Sequence, residues 1–287
     1  MTEGGEGTPA GLDAVTSNQR VEGDVFVLLP ALNEEGAIGS VIDRIPSENV
    51  RSMGYRLSVW VVDGHSTDAT LEVAARKGAN IFVQKGSGKG NAMREAFQHL
   101  LGPESSVQGP TASRRFVIML DSDGTYPPER IPGFVRELEL GHDVVLGSRF
   151  LGRIETGAMN DLNRLGNRFL SALARFLYGV PVSDVCTGMW GFNSESLYRL
   201  GLVATGFDLE ADVFARACQM RTRIGQVPIE YGQRVGVPKL VPLRTGISIA
   251  WRLLLNRLRG TDRPSIFKAA GDDALPGTDH EGVHPHP

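Results

Sequence analysis

Short unbroken apolar runs alternate with segments of helical period, and this alternation constrains the chain most. The runs are "DVFVLLPA" (24–31), "LSVWVVD" (57–63), "NIFVQ" (80–84), "RFVIMLD" (115–121) and "DVVLGS" (143–148). Helices are expected between them at about 34–45, 66–77, 89–101 and 128–140. A strand with one wet face alternates apolar and polar residues. A strand that is apolar throughout is covered on both faces. Strand–helix alternation then implies right-handed crossovers and a mainly parallel sheet. The expected fold class is therefore α/β, with a central sheet between two layers of helices. At 287 residues and 41% apolar, the chain can bury one large core or two small ones. No internal repeat interrupts the pattern.

Composition narrows the function classes. A net charge of −3 provides no bulk basic field, so no nucleic-acid partner is expected. Two cysteines, Cys186 and Cys218, make neither a disulfide framework nor a zinc site by themselves. A reducing, cytoplasmic compartment follows. The N-terminus lacks the apolar core of a signal peptide. No apolar run reaches the ~18 residues of a membrane span. Residues 1–22 and roughly 264–287 are polar and rich in Gly or Pro, and read as disordered tails. His280, His284 and His286 fall in the second tail and read as solvated rather than metal-binding. Residues 102–114 read as a surface loop.

In sheets of this kind ligands bind at the carboxyl ends of the strands. Asn33, Glu34, Asp63, Asp121, Asp123 and Arg149 all fall there. Asp121-Ser122-Asp123 ends a buried run with two carboxylates one residue apart. Their repulsion is relieved by a hard divalent cation, which favours oxygen ligands and is commonly shared with substrate phosphates. The structural alternative is a turn that caps the next helix near Pro127 and Pro128. Asp63 can accept from ribose hydroxyls or a base N–H. Ser66 or Thr67 is expected to cap the helix that follows. "KGSGKGNAM" (85–93) is glycine-rich and enters a helix at about Lys89, so it is either an anion site or a plain turn.

Taken in order, "LLPALNEE", "VVDGHSTDAT", "GKGNAM", "LDSDGTYPPE", "LGSRF", "NRLGNRF", "DVCTGMWGF" and "GFDLEADVFARA" resemble the family 2 glycosyltransferases of the GT-A fold. The likeness is greatest to polyprenyl-phosphate transferases of the dolichyl-phosphate mannose synthase type. It spans about residues 24–245. The resemblance implies that Pro30, Ala31, Asn33 and Glu34 line a nucleotide pocket with Asp63 and His65. Lys89, Asp121, Ser122 and Asp123 would complete the donor side, with Asp121 and Asp123 on Mg²⁺ or Mn²⁺. Arg149 and Arg164 would lie near the donor and acceptor phosphates. Arg234 and Lys239 resemble the ends of an R-x-G-E-S/T-K stretch. Two departures stand out. Thr125 takes the place of a frequent metal-binding Gln, and Val237-Pro238 replace Glu and Ser/Thr.

The activity so implied is metal-dependent, inverting transfer of a hexose from a UDP- or GDP-sugar to a polyprenyl phosphate. A soluble enzyme of the same fold acting on a small acceptor such as phosphoglycerate is the alternative. Glu210 and Asp212 of "LEAD" are candidate bases for a hydroxyl acceptor, or else acids placed at a helix N-terminus. Between Tyr231 and Thr261 there are six Lys or Arg and no acid. There, "GISIAWRLLLNRLR" (246–259) places Ile247, Trp251, Leu254 and Leu258 on one helical face. Arg252, Asn256 and Arg259 fall on another. The expected domains are thus 23–245 for catalysis and 246–263 for an amphipathic helix lying on the inner face of a membrane. "DLNRLGNRFLSALARFLYG" (161–179) is also basic and apolar, and is expected to be core.

Overall fold

The computed structural model describes residues 21–102, 114–236 and 242–259. Nearly all of both expected tails lies outside the described residues, and so does Lys239. In chain order the elements are β1 (Gly23–Ala31), α1 (Glu35–Asp43), α2 (Ser47–Ser52), β2 (Tyr55–Asp63), α3 (Thr70–Arg76), β3 (Asn80–Val83) and α4 (Lys89–Leu101). Then come β4 (Arg114–Met119), α5 (Ile131–Glu139), β5 (Val144–Ile154), α6 (Asp161–Tyr178), β6 (Trp190–Asn193), α7 (Ser194–Leu200), α8 (Leu209–Gln219), β7 (Ile224–Tyr231) and α9 (Pro242–Arg259).

The strands form one sheet in the order β3-β2-β1-β4-β6-β5-β7. All neighbours are parallel except β6, which runs antiparallel between β4 and β5. The central apolar strands feed two cores, because successive side chains point to opposite faces; the edge run of β3 is not covered on both faces as expected, with Ile81 and Val83 exposed. Phe26 and Leu28 of β1 enter one core with α4 and α8. Val25, Val27 and Leu29 enter the other with α1 and α5. The expected α/β sheet with helices on both faces is what forms. The sequence reading omitted β6 and β7. Four residues of "WGFN" are too few to show a period, and β7 carries Pro228, which an edge strand tolerates because its N–H side needs no ladder partner.

Two helices depart from expectation. α6 was expected to be core, yet only Leu170, Ser171 and Ala174 are buried. Leu162, Leu165, Phe169 and Phe176 are 65% to 85% exposed. The apolar stripe is broader than the strip that α9 and the sheet can cover. α9 begins at Pro242 rather than 246, with proline in the first turn, where its missing N–H is no loss. Ile247, Trp251, Leu254 and Leu258 are exposed. Arg252 and Asn256 do not face solvent as their helical spacing suggested. Arg252 pairs with Asp208 at 2.7 Å, and Asn256 donates to Asp212 at 2.8 Å, so this face fastens α9 to α8. Among the described residues no helix is long and apolar enough to cross a membrane.

Candidate active site

The site begins where β1 and β4 end side by side. Ser122 Oγ donates to the carbonyl of Pro30 at 2.6 Å, tying the Asp-Ser-Asp turn to the end of β1. The two aspartates then diverge, each to its own cation. Lys89 Nζ, at the first residue of α4, lies 2.6 Å from Asp121 Oδ1 and 2.6 Å from Glu210 Oε1. Arg234 lies 2.6 Å from Asp123 Oδ2 and 3.1 Å from Glu34 Oε1. Among the described residues, these four carboxylates face two cations, an excess of two formal negative charges. That excess suits a divalent cation.

Burial works against the Lys89 ammonium, but the Asp121 and Glu210 carboxylates outweigh it and hold its pKa above the ordinary value. Burial pushes the Glu210 carboxyl above its usual range, more than the Lys89 ammonium draws it down. Asp123 Oδ1 also accepts from Thr125 N at 3.0 Å and Thr125 Oγ1 at 2.5 Å. Thr125 therefore orients Asp123, and the acid does not cap the following helix. Gly188 lies against Asp121. A Cβ there would come within 2.2 Å of Asp121 Oδ2, so the position excludes any larger residue.

Arg149, near the middle of β5, is buried and faces the cleft. Its Nε and Nη2 pair with the two oxygens of Asp184 at 2.6 and 2.7 Å. Its backbone N–H donates to the same carboxylate at 3.1 Å. The guanidinium lies over the Tyr231 ring, 5.2 Å from its centroid. Burial opposes the charge, but Asp184 more than offsets it and keeps Arg149 protonated. A two-point fork of this kind fixes the guanidinium plane as well as its charge.

The loops after β1 and β2 brace each other. Asn33 N–H donates to Ser66 Oγ at 2.9 Å, Thr67 N–H to Asn33 Oδ1 at 2.7 Å, and Glu34 N–H to Thr70 Oγ1 at 2.8 Å. Asp63 accepts from the N–H groups of His65 and Ser66 at 2.9 and 3.1 Å. Asn33 and His65 adopt positive φ, 52° and 71°, which these bonds offset. Ser66 and Thr67 thus do not cap a helix as expected; α3 starts later, at Thr70.

A cleft of about 1050 Å³ opens above these strand ends. Of the residues picked out in the sequence, Pro30, Ala31, Glu34, Lys89, Asp121, Ser122, Asp123, Arg149, Glu210 and Arg234 line it. Asn33, Asp63 and His65 are not among its lining residues and form the brace just described. Arg164 is half-buried on α6, next to the lining residue Asn163, and its Nε has no partner among the described residues. Asp212 is not a candidate base. It is fully buried, and it accepts from Val203 N, Ala204 N, Arg216 and Asn256 at 2.6 to 2.9 Å. Its place two residues past Glu210, about 200° round the helix, turns it to the other side of α8.

Sequence reasoning missed Asp184 and Gly188. Asp184 and Gly188 lay within "DVCTG", a stretch noticed for its likeness but assigned no atoms. Among the described residues no cluster of three or more His, Cys, Asp or Glu can hold a metal by protein ligands alone. Two carboxylates fit an ion of the Mg²⁺ type that takes its remaining ligands from phosphates and water.

The family model described as glycosyl transferase family 2 matches residues 26–201. The chain belongs to this family. As a family 2 glycosyltransferase it is 37% identical to a dolichyl-phosphate hexose transferase of Haloferax volcanii, over 79% of this chain and 90% of the relative. It is 35% identical to glycosyltransferase AglJ of the same organism, over 85% of this chain and 74% of that protein. Among solved structures, glucosyl-3-phosphoglycerate synthase of Mycobacterium tuberculosis in complex with Mn²⁺ and UDP-glucose aligns with a TM-score of 0.59 and 26% identity. That alignment covers 82% of this chain and 78% of the synthase. The GT-A architecture expected of the family is thus the architecture present.

Proposed function

We propose that this enzyme transfers a hexose, such as glucose, mannose or N-acetylglucosamine, from a UDP- or GDP-sugar to a polyprenyl phosphate at a membrane surface. One observation carries the reading. Leu162 and Phe169 of α6 and Leu243 and Ile247 of α9 line the cleft, and all four are 63% to 78% exposed. An apolar path therefore runs from the charged site to the surface, which suits an acceptor with a charged head and a hydrocarbon tail. Arg168, Arg175, Arg244, Arg257 and Arg259 are exposed on the same two helices, whose only acid is Asp161. That charge balance favours anionic lipid and a peripheral position on the cytoplasmic face. The name of the 37% identical relative points the same way.

Asp121 and Asp123 would hold Mg²⁺ or Mn²⁺ against the donor diphosphate. When bound, the ion supplies charge neutralisation for the departing nucleotide. Lys89 and Glu210 keep Asp121 in place from behind. Arg149, fixed by Asp184, presents the free side of its guanidinium to a phosphate in the cleft. The acceptor phosphate is ionised at neutral pH, so its oxygen attacks the anomeric carbon without a general base. The bond from that carbon to the diphosphate breaks on the opposite face, and configuration inverts. Arg149, Arg164, Arg234 and, outside the described residues, Lys239 are the cations assigned to position the two phosphates.

The test is label transfer from a panel of UDP- and GDP-sugars to a short polyprenyl phosphate in detergent, with Mn²⁺ or Mg²⁺. Label in the organic phase with one donor is the expected result. Asp123→Ala should lower it by roughly 10²-fold or more. Label that stays in water while nucleotide diphosphate accumulates would replace the lipid with a small acceptor such as phosphoglycerate.

A further inference from the structure

Tyr126 follows the Asp-Ser-Asp turn and has no part in the chemistry above. It is only 3% exposed. Its hydroxyl accepts from the backbone N–H of Gly188 at 2.6 Å, and among the described residues this is its one hydrogen bond. Burial pushes the phenol well above its usual range, so it stays a neutral hydroxyl. Its ring meets Tyr231 edge-on, with the centroids 5.2 Å apart. A buried tyrosine needs a partner for its hydroxyl, and Gly188 satisfies that need. What sets Tyr126 apart from an ordinary core residue is what Gly188 and Tyr231 touch in turn.

The two neighbours belong to different halves of the site. Gly188 lies against Asp121: a Cβ on it would come within 2.2 Å of Asp121 Oδ2 and 3.0 Å of Tyr126 Cε2. Tyr231 lies under the Arg149 guanidinium. The chain around Gly188 also reaches Arg149. Four residues back, Asp184 forks the guanidinium. One residue on, Met189 O accepts from Gly147 N–H at 2.8 Å, two residues before Arg149. Tyr126 is therefore wedged where the Asp121 turn, the 184–189 segment and the floor under Arg149 meet. Asp121 has its own tether in Lys89. A shift of the 184–189 segment would carry Asp184, and Arg149 with it, relative to that fixed carboxylate.

We infer that Tyr126 is a positioning residue whose hydroxyl, acting through Gly188, sets the separation of Asp121 from Arg149. This rests on the reading that Asp121 serves the donor diphosphate and Arg149 the acceptor phosphate. That separation then governs how closely the acceptor oxygen approaches the anomeric carbon. Each substrate binds its own half whether or not the separation is right, but attack requires it. A misplacement of about 1 Å costs on the order of 10²-fold in rate. Without the hydroxyl, the Gly188 N–H is left unpaired in the interior. An unpaired buried N–H is costly, so the segment moves to find another acceptor.

Tyr126→Phe in the full chain keeps the ring and removes only the hydroxyl. Calorimetric titration with inorganic pyrophosphate in Mn²⁺ counts the competent sites and gives their affinity. Label transfer to a short polyprenyl phosphate, from the UDP- or GDP-sugar that wild type uses, gives kcat per competent site and both KM values. The variant should keep its pyrophosphate affinity and both KM values within about threefold, while kcat per site falls by about 10- to 10²-fold. A purely structural role would lower the number of competent sites and leave kcat per site as in wild type. That outcome would overturn the inference, as would a variant with no competent sites. A pyrophosphate affinity that falls by the same factor as kcat would also overturn it, because Tyr126 would then shape the diphosphate end alone. A wild type that binds pyrophosphate but labels no lipid, or that binds no pyrophosphate, would overturn the proposed function and this inference with it.

Discussion

α5 and α6 are both strongly amphipathic, and they meet opposite fates. α5 buries Ile131, Phe134, Val135 and Leu138 against the sheet. α6 leaves Leu162, Leu165, Phe169 and Phe176 in the open. Each carries an apolar stripe that gains free energy by leaving water. The stripe itself does not name the partner. α5 crosses from β4 to β5 and is laid on a sheet face by the right-handed crossover. α6 leaves β5 at the functional edge, where among the described residues it packs mainly on α9 and more sparsely on α8. Its stripe is left over, and α9 adds a second one beside it rather than covering the first.

This contrast can be broken by experiment. Phe134→Ala on α5 should cost about 3–5 kcal/mol of stability, read as a lowered urea midpoint, with whatever folded protein remains still binding vesicles. Arg252→Glu sharpens the contrast within α9. It removes the Asp208 pair and puts a carboxylate beside it, so stability should fall by about 1.5–3 kcal/mol while the lipid-facing side is untouched. A loss of vesicle binding with no loss of stability would return Arg252 to the solvent face. Phe176→Ser with Trp251→Ser should weaken sedimentation with anionic vesicles by about tenfold, since insertion at the interface buries each side chain in part and yields only a fraction of the roughly 1.5–3 kcal/mol of full burial. The same pair should change the urea midpoint by less than about 0.5 kcal/mol of stability. If instead the double variant unfolds early and binds vesicles normally, the two helices differ in degree and not in kind.

Much of the site was legible because acids at the ends of apolar runs must converge in a parallel sheet. Pro30, Ala31, Glu34, Asp121, Ser122 and Asp123 line the cleft for that reason, whereas Lys89, Glu210 and Arg234 reach it from α4, α8 and the segment after β7. What the reading missed has a common cause. Asp184 matters through Arg149, and Gly188 through the space it leaves for Asp121. Each is a relation between distant segments, and a single position in the sequence shows none of it. Asp212 is the converse case. It has the residue type and spacing of a base, but besides Arg216 on its own helix the fold brings up Val203 N, Ala204 N and Asn256 as donors from other segments.

The sequence by itself determined the α/β class, the edge where polar residues gather, the Asp-x-Asp pair and the amphipathy of the helices. These follow from period and residue type, which are local properties of a chain. Only the tertiary structure decided which apolar stripe is core and which is surface. It likewise decided which arginines hold the protein together and which face outward, and which acids are left with net negative charge. Burial and ion pairing depend on what arrives from elsewhere in the chain. Free energies of that kind are set by the packed fold and cannot be read along one segment.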